Sequence, residues 1–195
     1  MENEDRRIRR TRKSLHDALI ALLLEKNYDA ITVQEILDRA DVGRSTFYTH
    51  FDGKDELLVS GIHDLRITLD SALQHGRTSA KRNENVLAFS PAMFDHANGY
   101  RNVYYAILHT QVWPRVSQRL QDLLRELIER ECKAEIAHMK KAKSDVPVDL
   151  FVHYLTTTFF TVMTWWMDRR SRMTPAQIDE MFRSLVLPTV RAVLA

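Results

Sequence analysis

The stretch from Thr32 to Phe51, TVQEILDRADVGRSTFYTHF, decides the fold because it encodes two short helices joined by a tight turn. Thr32 and Glu35 have the spacing of a capping box, in which the hydroxyl and the carboxylate satisfy free backbone N–H groups. Asp41-Val42-Gly43 interrupts the helical pattern, and Gly43 can cap a further helix through His50. Two helices about three residues apart are typical of a helix-turn-helix, which lays its second helix in the DNA major groove.

The second of these helices has two chemically different sides. Phe47 and Phe51 are four residues apart and are predicted to face inward with Val42. The outward side carries hydrogen-bond donors in place of the usual Lys and Glu. Near a helix start, an arginine can reach a guanine edge or a phosphate, hydroxyls suit either, and the remaining donors fix register on phosphates. These side chains are Arg44, Ser45, Thr46, Tyr48, Thr49, His50 and Lys54. On periodicity alone, a polar helix of an unrelated bundle remains an alternative.

Upstream, Leu15, Ala18, Leu19, Leu22 and Leu23 recur at helical spacing and predict a first helix from about Arg7 to Glu25. Asn27 is expected to end it in the left-handed conformation. Residues 6–13, RRIRRTRK, hold six cations and no anion, a pattern typical of a nucleic-acid or acidic-partner surface. Cations fit poorly at a helix N-terminus, so a phosphate ligand would explain them, with a solvated helix start as the alternative.

Composition limits the protein class. The chain has 195 residues and only five Gly and five Pro, which favours helices over a turn-rich β fold. The single Cys132 excludes an internal disulfide and a cysteine zinc site, and it fits a reducing cytoplasm. The start of the chain is charged, so no signal peptide is expected. Residues 150–167 lack formal charge but include five Thr, which favours a buried bundle helix over a membrane span.

The stretch Asn27–Leu58, NYDAITVQEILDRADVGRSTFYTHFDGKDELL, resembles the DNA-binding signature of the tetracycline-repressor (TetR) family of bacterial transcriptional regulators. The match is dense over the first 60 residues and rests only on architecture beyond them. Two departures stand in the turn: Asp41 replaces the usual Gly, and Gly43 replaces a common capping Ser. The resemblance implies DNA contacts at Thr32, Gly43, Arg44, Ser45, Thr46, Tyr48, Thr49, His50 and Lys54.

The rest of the chain is predicted to be all helical. We expect residues 1–53 to form the helix-turn-helix domain and residues 54–195 a helical domain, with a long helix from about Lys54 to Leu73 linking them. His75–Asn85 is expected to be a polar loop, and Pro91 to interrupt a helix over Val86–His96. Pro114 and the Thr174–Gln177 capping box, with Pro175 first, mark helix starts. Pro188 should bend the last helix.

The resemblance implies that the helical domain binds an effector and dimerises. Two C-terminal helices, roughly 148–168 and 175–194, would pair with their copies in a four-helix interface. We expect an exposed apolar face there, which a homodimer would cover, made of Phe159, Phe160, Trp165, Trp166 and Met181. A small molecule would release the repressor from a palindromic operator. Large side chains and polar groups that could line its pocket are Met93, Phe94, Tyr104, His109, Trp113, Tyr154, Phe159, Met163 and Trp165.

Other classes have less support. No G-x-G-x-x-G, Walker or nucleophile-elbow motif occurs, so an enzyme is not expected, and no cofactor is implied. The eight histidines include no metal-binding pair such as H-E-x-x-H, so neither a metal site nor a metal sensor is expected. The stronger rival is an all-helical, dimeric interaction module whose basic N-terminus binds an acidic protein. Salt-dependent affinity for a palindromic duplex would distinguish a DNA-binding regulator from that module.

Overall fold

A computed structural model describes residues 2–62, 65–66, 87–133, 136–137, 139 and 146–194. Within them every regular element is a helix, which confirms the all-α prediction. The predicted Lys54–Leu73 helix is described over residues 54–62 and 65–66, where it is helical. Its remainder and the His75–Asn85 loop lie outside the described residues. The helices are α1 Glu2–Glu25, α2 Val33–Ala40, α3 Arg44–Tyr48, α4 over residues 54–62, α5 Ser90–Gly99, α6 Arg101–Ile107, α7 Trp113–Glu131, α8 Val148–Asp168 and α9 Pro175–Leu194.

The chain forms two compact units. The first unit joins Met1–Leu65 with Tyr100–Arg119, and the second joins Arg66–Gly99 with Leu120–Ala195. The N-terminal helices thus share a unit with α6, which packs against α1. The division of the chain into domains at residues 53 and 54 stays a prediction. No helix among the described residues is long and apolar enough to cross a membrane.

The first unit is built on the apolar stripe of α1. Leu15 and Leu19 are fully buried, as are Ile36 of α2 and Phe47 of α3. Side chains three and four residues apart share one face of a helix, so this stripe seats α2 and α3 on α1. α1 begins at Glu2, five residues earlier than predicted from the apolar periodicity.

The end of α1 differs from the prediction for Asn27. Asn27 has φ −59° and ψ 140°, which is not left-handed. It precedes a short 3₁₀ turn, Tyr28–Ala30, whose first residue is 1% exposed. Burial of the Tyr28 ring draws the chain inward directly after Asn27. The left-handed residue in this region is instead Asp41, with φ 52°.

The second unit has an aromatic core formed by Phe89, Phe94, Phe159, Trp166 and Phe182, all of them fully buried. The rings of Phe94 and Phe159 lie 4.6 Å apart, and those of Phe159 and Phe182 lie 5.3 Å apart at 86°. Offset and edge-to-face contacts of this kind are the favoured arrangements of aromatic pairs.

The predicted apolar face of the C-terminal helices was therefore wrong in part. Phe159 and Trp166 belong to the core of their own chain, because α5 and α9 cover that side of α8. Phe160 is half-buried. Among the side chains of α8 and α9 that the structure describes, the exposed large apolar ones are Leu150, Trp165, Met181 and Leu185.

Helix starts in the second half of the chain follow local sequence signals. The Thr174 N–H donates to Gln177 Oε1 at 2.9 Å and the Gln177 N–H to Thr174 Oγ1 at 3.3 Å, so the capping box is confirmed. Pro114 is the second residue of α7, as predicted for a helix start. The interruption expected at Pro91 is wrong, because α5 begins at Ser90 and a first-turn proline has no helical N–H bond to lose.

Candidate DNA-binding interface

The α2–turn–α3 segment is held by its own caps. Thr32 Oγ1 accepts the Glu35 N–H at 3.3 Å, and Glu35 Oε2 accepts the Thr32 N–H at 2.9 Å, as in a capping box. α2 ends at Asp41, which adopts the left-handed conformation. Asp tolerates this conformation better than most side chains, because its short polar group can bond locally. The turn therefore closes although its sequence departs from the family's glycine.

Two further contacts fix α2 to the end of α1. Lys26 donates to the Glu35 carboxylate, and this contact, followed by the Thr32 N–H and hydroxyl, lowers the pKa of Glu35 to about 2. Arg39 makes two hydrogen bonds to Glu25, at 2.6 and 2.9 Å, and this pairing lowers the pKa of the Glu25 carboxyl. Paired, parallel contacts of this kind define orientation as well as distance. α2 thus forms a fixed support for α3.

α3 presents one apolar and one polar side. Phe47 is fully buried and Phe51, just after the helix, is 2% exposed; their rings lie 5.7 Å apart. Tyr48 is 51% exposed, and its ring meets that of Phe47 edge-on at 5.2 Å. The His50 side chain is half-buried. The other polar side chains predicted to contact DNA, which are Arg44, Ser45, Thr46 and Thr49, are exposed.

Some of these polar groups already have partners inside the protein. Thr49 Oγ1 donates its hydroxyl proton to the Ser45 carbonyl at 2.9 Å. Thr32 is exposed, but its hydroxyl is engaged in the capping box. Gly43 is the N-cap residue of α3, with φ −67° and no side-chain cap, and a Cβ there would lie 4.0 Å from Thr46 Oγ1. The fold itself therefore does not require a glycine at this position.

Arg44 has a partner that sequence reasoning missed. Its Nη2 donates to Gln34 Oε1 at 3.1 Å, and Gln34 Nε2 donates to Asp38 Oδ1 at 2.7 Å. Gln34 is exposed in the first turn of α2, so periodicity predicts only a solvated position. The available signal was positional, because in a helix-turn-helix a short turn joins the recognition helix to a first helix that crosses the DNA backbone beside it.

Lys54 was predicted to contact phosphate, but the structure engages its ammonium inside the first unit. Lys54 Nζ donates to the carbonyls of Ile31 at 2.7 Å, Tyr28 at 2.8 Å and Asp29 at 3.3 Å. An ammonium has three donors, so these contacts occupy all of them. The half-buried Lys54 therefore closes the 3₁₀ turn in this structure.

The basic N-terminal segment lies on the first turns of α1. Arg6, Arg7, Arg9 and Arg10 are exposed, together with Ile8. The Arg12 guanidinium lies 4.9 Å from the centre of the Phe51 ring, so the segment ends beside the residues that follow α3. Exposed cations next to a polar recognition surface enlarge its capacity to hold phosphates.

The predicted ligand-pocket residues are distributed over both units. Tyr104, His109 and Trp113 belong to the first unit, where the Tyr104 and Trp113 rings meet at 5.1 Å. Phe94 and Phe159 form part of the aromatic core of the second unit, and Met93 and Met163 are buried in that unit. The hydroxyl of half-buried Tyr154 donates to Thr189 Oγ1 at 3.3 Å. His109 and Trp165 are exposed. The pocket stays a prediction.

Family models match both parts of the chain. A model described as bacterial regulatory proteins, tetR family, matches residues 15–60. A model described as a transcriptional regulator C-terminal region matches residues 84–187, which is more than half of the chain. The first match spans the complete α2–turn–α3 segment described above.

Three similar proteins are also described as HTH-type transcriptional regulators or repressors. YxbF of Bacillus subtilis, an uncharacterised HTH-type transcriptional regulator, is 44% identical over 55 residues, 28% of this chain. TcmR of Streptomyces glaucescens is 27% identical over 151 residues, 74% of this chain. The repressor KstR of Mycobacterium tuberculosis is 39% identical over 54 residues, which are 28% of this chain and 24% of KstR. The chain spans 14% of YxbF and 65% of TcmR.

A solved structure extends the likeness to the whole fold. The TetR transcriptional regulator from Streptococcus agalactiae is 25% identical, with a TM-score of 0.62 over 95% of this chain and 98% of that one. These relatives are transcriptional regulators, a class without enzymatic activity, as predicted from the absence of catalytic motifs. The caps of α2, the polar side of α3, both family models and these relatives agree, and the chain belongs to the tetR family of bacterial transcriptional regulators.

Proposed function

We propose that this regulator is a repressor that binds a palindromic operator as a homodimer and is released by a small-molecule effector. The observation that carries the proposal is the two-sided α3, in which Phe47 is buried while Arg44, Ser45 and Tyr48 are exposed. A helix anchored by aromatic side chains and lined with donors is suited to a groove of base edges and phosphates. KstR, similar over the N-terminal segment, is named a repressor.

In the proposed complex α3 lies in the major groove. Arg44 reads a base edge, Ser45 and Thr46 contact bases or phosphates, and Tyr48, Thr49 and His50 position the helix on the backbone. The absence of a side chain at Gly43 also supports this docking. The fold leaves room for a side chain there, so packing within the protein does not explain the glycine. A close approach of the DNA backbone would instead favour the smallest residue. Thr32 lies at the start of α2 and would mark the edge of the contact.

Exposed apolar side chains support a homodimer through α8 and α9. Trp165 is 40% exposed and Leu150 54% exposed on α8, while on α9 Met181 is 37% and Leu185 57% exposed. Met181 and Leu185 are four residues apart and share one face of the helix. Pairing of these faces between two copies would remove them from water, and the dimer would carry two recognition helices for two half-sites.

The effector part of the proposal rests on the C-terminal helical region. A coupling free energy of about 1–3 kcal/mol between effector and operator sites would change operator affinity by about 5- to 150-fold. The segment from Lys54 to Leu73 is our candidate transmitter, because it leads along the chain from the recognition helix toward the C-terminal region. The proposed pocket residues are those named from the sequence.

Selection of bound sequences from a random duplex pool tests the DNA part. We expect an inverted repeat whose half-sites lie one helical turn apart, about 34–36 Å, or a multiple of it. Binding should weaken steeply with salt. Recovery of no preferred sequence, with binding to any polyanion, would favour the interaction module with an acidic partner. Ligand screening against the operator complex tests release, and an operator complex that no small molecule dissociates would contradict it.

Replacement of Leu185 by Glu tests the dimer. The charged side chain would be buried without a partner in the proposed interface, so the variant should sediment as a monomer and lose operator affinity. Leu24→Glu is a matched control, because Leu24 of α1 is 59% exposed and lies in the first unit. The proposed interface is wrong if Leu185→Glu and Leu24→Glu both sediment with the mass of the parent dimer.

A further inference from the structure

We propose that Gln34 is a positioning residue that sets the base preference of Arg44, and that Asp38 fixes the orientation of the Gln34 amide. The inference rests on the proposed docking of α3, and it adds a specificity determinant on α2. Arg44 Nη2, the Gln34 amide and Asp38 Oδ1 form a continuous hydrogen-bonded chain with lengths of 3.1 and 2.7 Å. This chain connects the exposed surface of α2 to the first residue of α3.

The donor and acceptor of each of these two hydrogen bonds follow from the chemistry of the three side chains. A guanidinium only donates, an ionised carboxylate only accepts, and an amide has one end of each kind. Gln34 can therefore satisfy both neighbours in a single orientation, with Oε1 toward Arg44 and Nε2 toward Asp38. A flipped amide would place NH₂ against the guanidinium and oxygen against the carboxylate. By accepting from Nε2, Asp38 thus keeps the Gln34 oxygen directed at Arg44.

The neutral partner leaves Arg44 available for DNA. A carboxylate at residue 34 would form an ion pair with the guanidinium, and this pair would compete with base edges and phosphates for the same charge. The amide uses one of the five N–H donors of arginine, so the other four remain for the groove. Arg44 is exposed, and an unsupported arginine there would sample many rotamers before it contacts DNA.

Side-chain contacts within the first unit hold the helix that carries Gln34. α2 is fixed to the end of α1 by the Arg39–Glu25 pair and by the Lys26–Glu35 contact. Gln34 and Asp38 are four residues apart, so both lie on one side of this helix. The position of the Gln34 oxygen is therefore defined by the fold of the first unit, and it directs the guanidinium to one place on α3.

A double-mutant cycle tests the inference in the full-length protein. Operators differing at single base pairs are compared, and the base pair whose discrimination Arg44→Ala abolishes is taken as the Arg44 position. Gln34→Ala should reduce discrimination at that base pair by roughly three- to tenfold, at or below the lower end of what a single bidentate base contact gives. It should have no further effect in the Arg44→Ala background. Asp38→Ala should reduce discrimination at the same base pair more weakly. In this variant the Gln34 side chain still reaches Arg44, but nothing fixes the orientation of its amide.

Asp17→Ala is the matched control, because Asp17 is also exposed in the first unit and accepts a side-chain hydrogen bond, from Lys13 on α1, that does not involve α2. It should leave discrimination at every base pair unchanged, and thermal melts should show that all variants fold. Equal effects of Gln34→Ala in both backgrounds would mean that Gln34 contacts DNA itself, which overturns the inference alone. Unchanged discrimination in Gln34→Ala also overturns it alone. If Arg44→Ala keeps every base preference of the parent protein, both this inference and the proposed docking are overturned.

Discussion

Lys54 Nζ lies 2.8 Å from the carbonyl oxygen of Tyr28 and 4.5 Å from the centre of its ring. The other hydrogen bonds of this ammonium go to the carbonyls of Asp29 and Ile31. The Tyr28 hydroxyl donates to Asp55, and burial followed by this contact raises the pKa of Tyr28. One lysine thereby ties the start of α4 to the turn that follows α1.

Replacement of Lys54 by Ala should destabilise the protein by about 1–3 kcal/mol, because it removes charge-assisted hydrogen bonds and a cation–π interaction. Chemical denaturation measures the change. Lys13→Ala is the control, because Lys13 is exposed on α1 and forms a surface pair with Asp17. If Lys54→Ala keeps full stability and weakens binding to every duplex equally, Lys54 is instead the phosphate contact that the sequence suggested.

Gly61 should not tolerate a side chain while His16 is present. A Cβ at residue 61 would lie 1.9 Å from His16 Nε2, which is far inside van der Waals contact. Gly61→Ala should therefore lower the thermal midpoint, and adding His16→Ala should restore part of the loss by removing the ring. Gly53→Ala is the control, because no atom lies within 4 Å of the position that a Cβ would take there. A double variant no more stable than Gly61→Ala would exclude the clash as the cause.

His96 should make stability depend on pH below neutrality. Burial lowers its pKa from 6.5 to about 4, so between these values the unfolded chain binds a proton that the folded chain does not. Stability is then complete above pH 6.5 and falls as the pH decreases toward 4, with a slope of at most about 1.4 kcal/mol per pH unit. His96→Gln should flatten this part of the curve. An unchanged slope would assign the pH dependence to other groups.

The basic start of α1 should extend the DNA contact to phosphates outside the half-site. Replacing Arg6, Arg7, Arg9 and Arg10 by Gln should flatten the dependence of log K on log salt by about 0.9 for each phosphate that the protein no longer neutralises. Discrimination between operators should stay unchanged. The difference from the parent protein should disappear on duplexes trimmed to the half-sites. Arg125→Gln, at an exposed position on α7, is the control. Equal salt slopes for all three proteins would mean that the basic segment is solvated and does not contact DNA.

Local signals made much of the fold predictable. The Thr32 and Thr174 capping boxes are short-range patterns that depend on three residues of spacing, and both formed as expected. The division of α3 into buried Phe47 and exposed Tyr48 also follows from helical periodicity. These features need no knowledge of the rest of the chain.

Long-range contacts decided what the sequence could not predict. Lys54 contacts carbonyls more than twenty residues earlier, and the Gln34–Arg44 contact joins two different helices. Trp165 and Trp166 are neighbours with the same chemistry, yet one is exposed and the other fully buried. Only the direction from which α5 and α9 cover α8 separates them, and a single sequence does not encode that direction locally.

Arg183 of α9 donates to Asp179 and to the Leu87 carbonyl, while Ser90 at the start of α5 also donates to Asp179. The same helix carries Met181 and Leu185 on an exposed face. Recombination of this protein with a relative therefore cannot exchange α9 alone. A chimera that inherits α9 from one parent should also inherit the corner from Leu87 to Ser90, because the donors and acceptors of these hydrogen bonds lie on both segments.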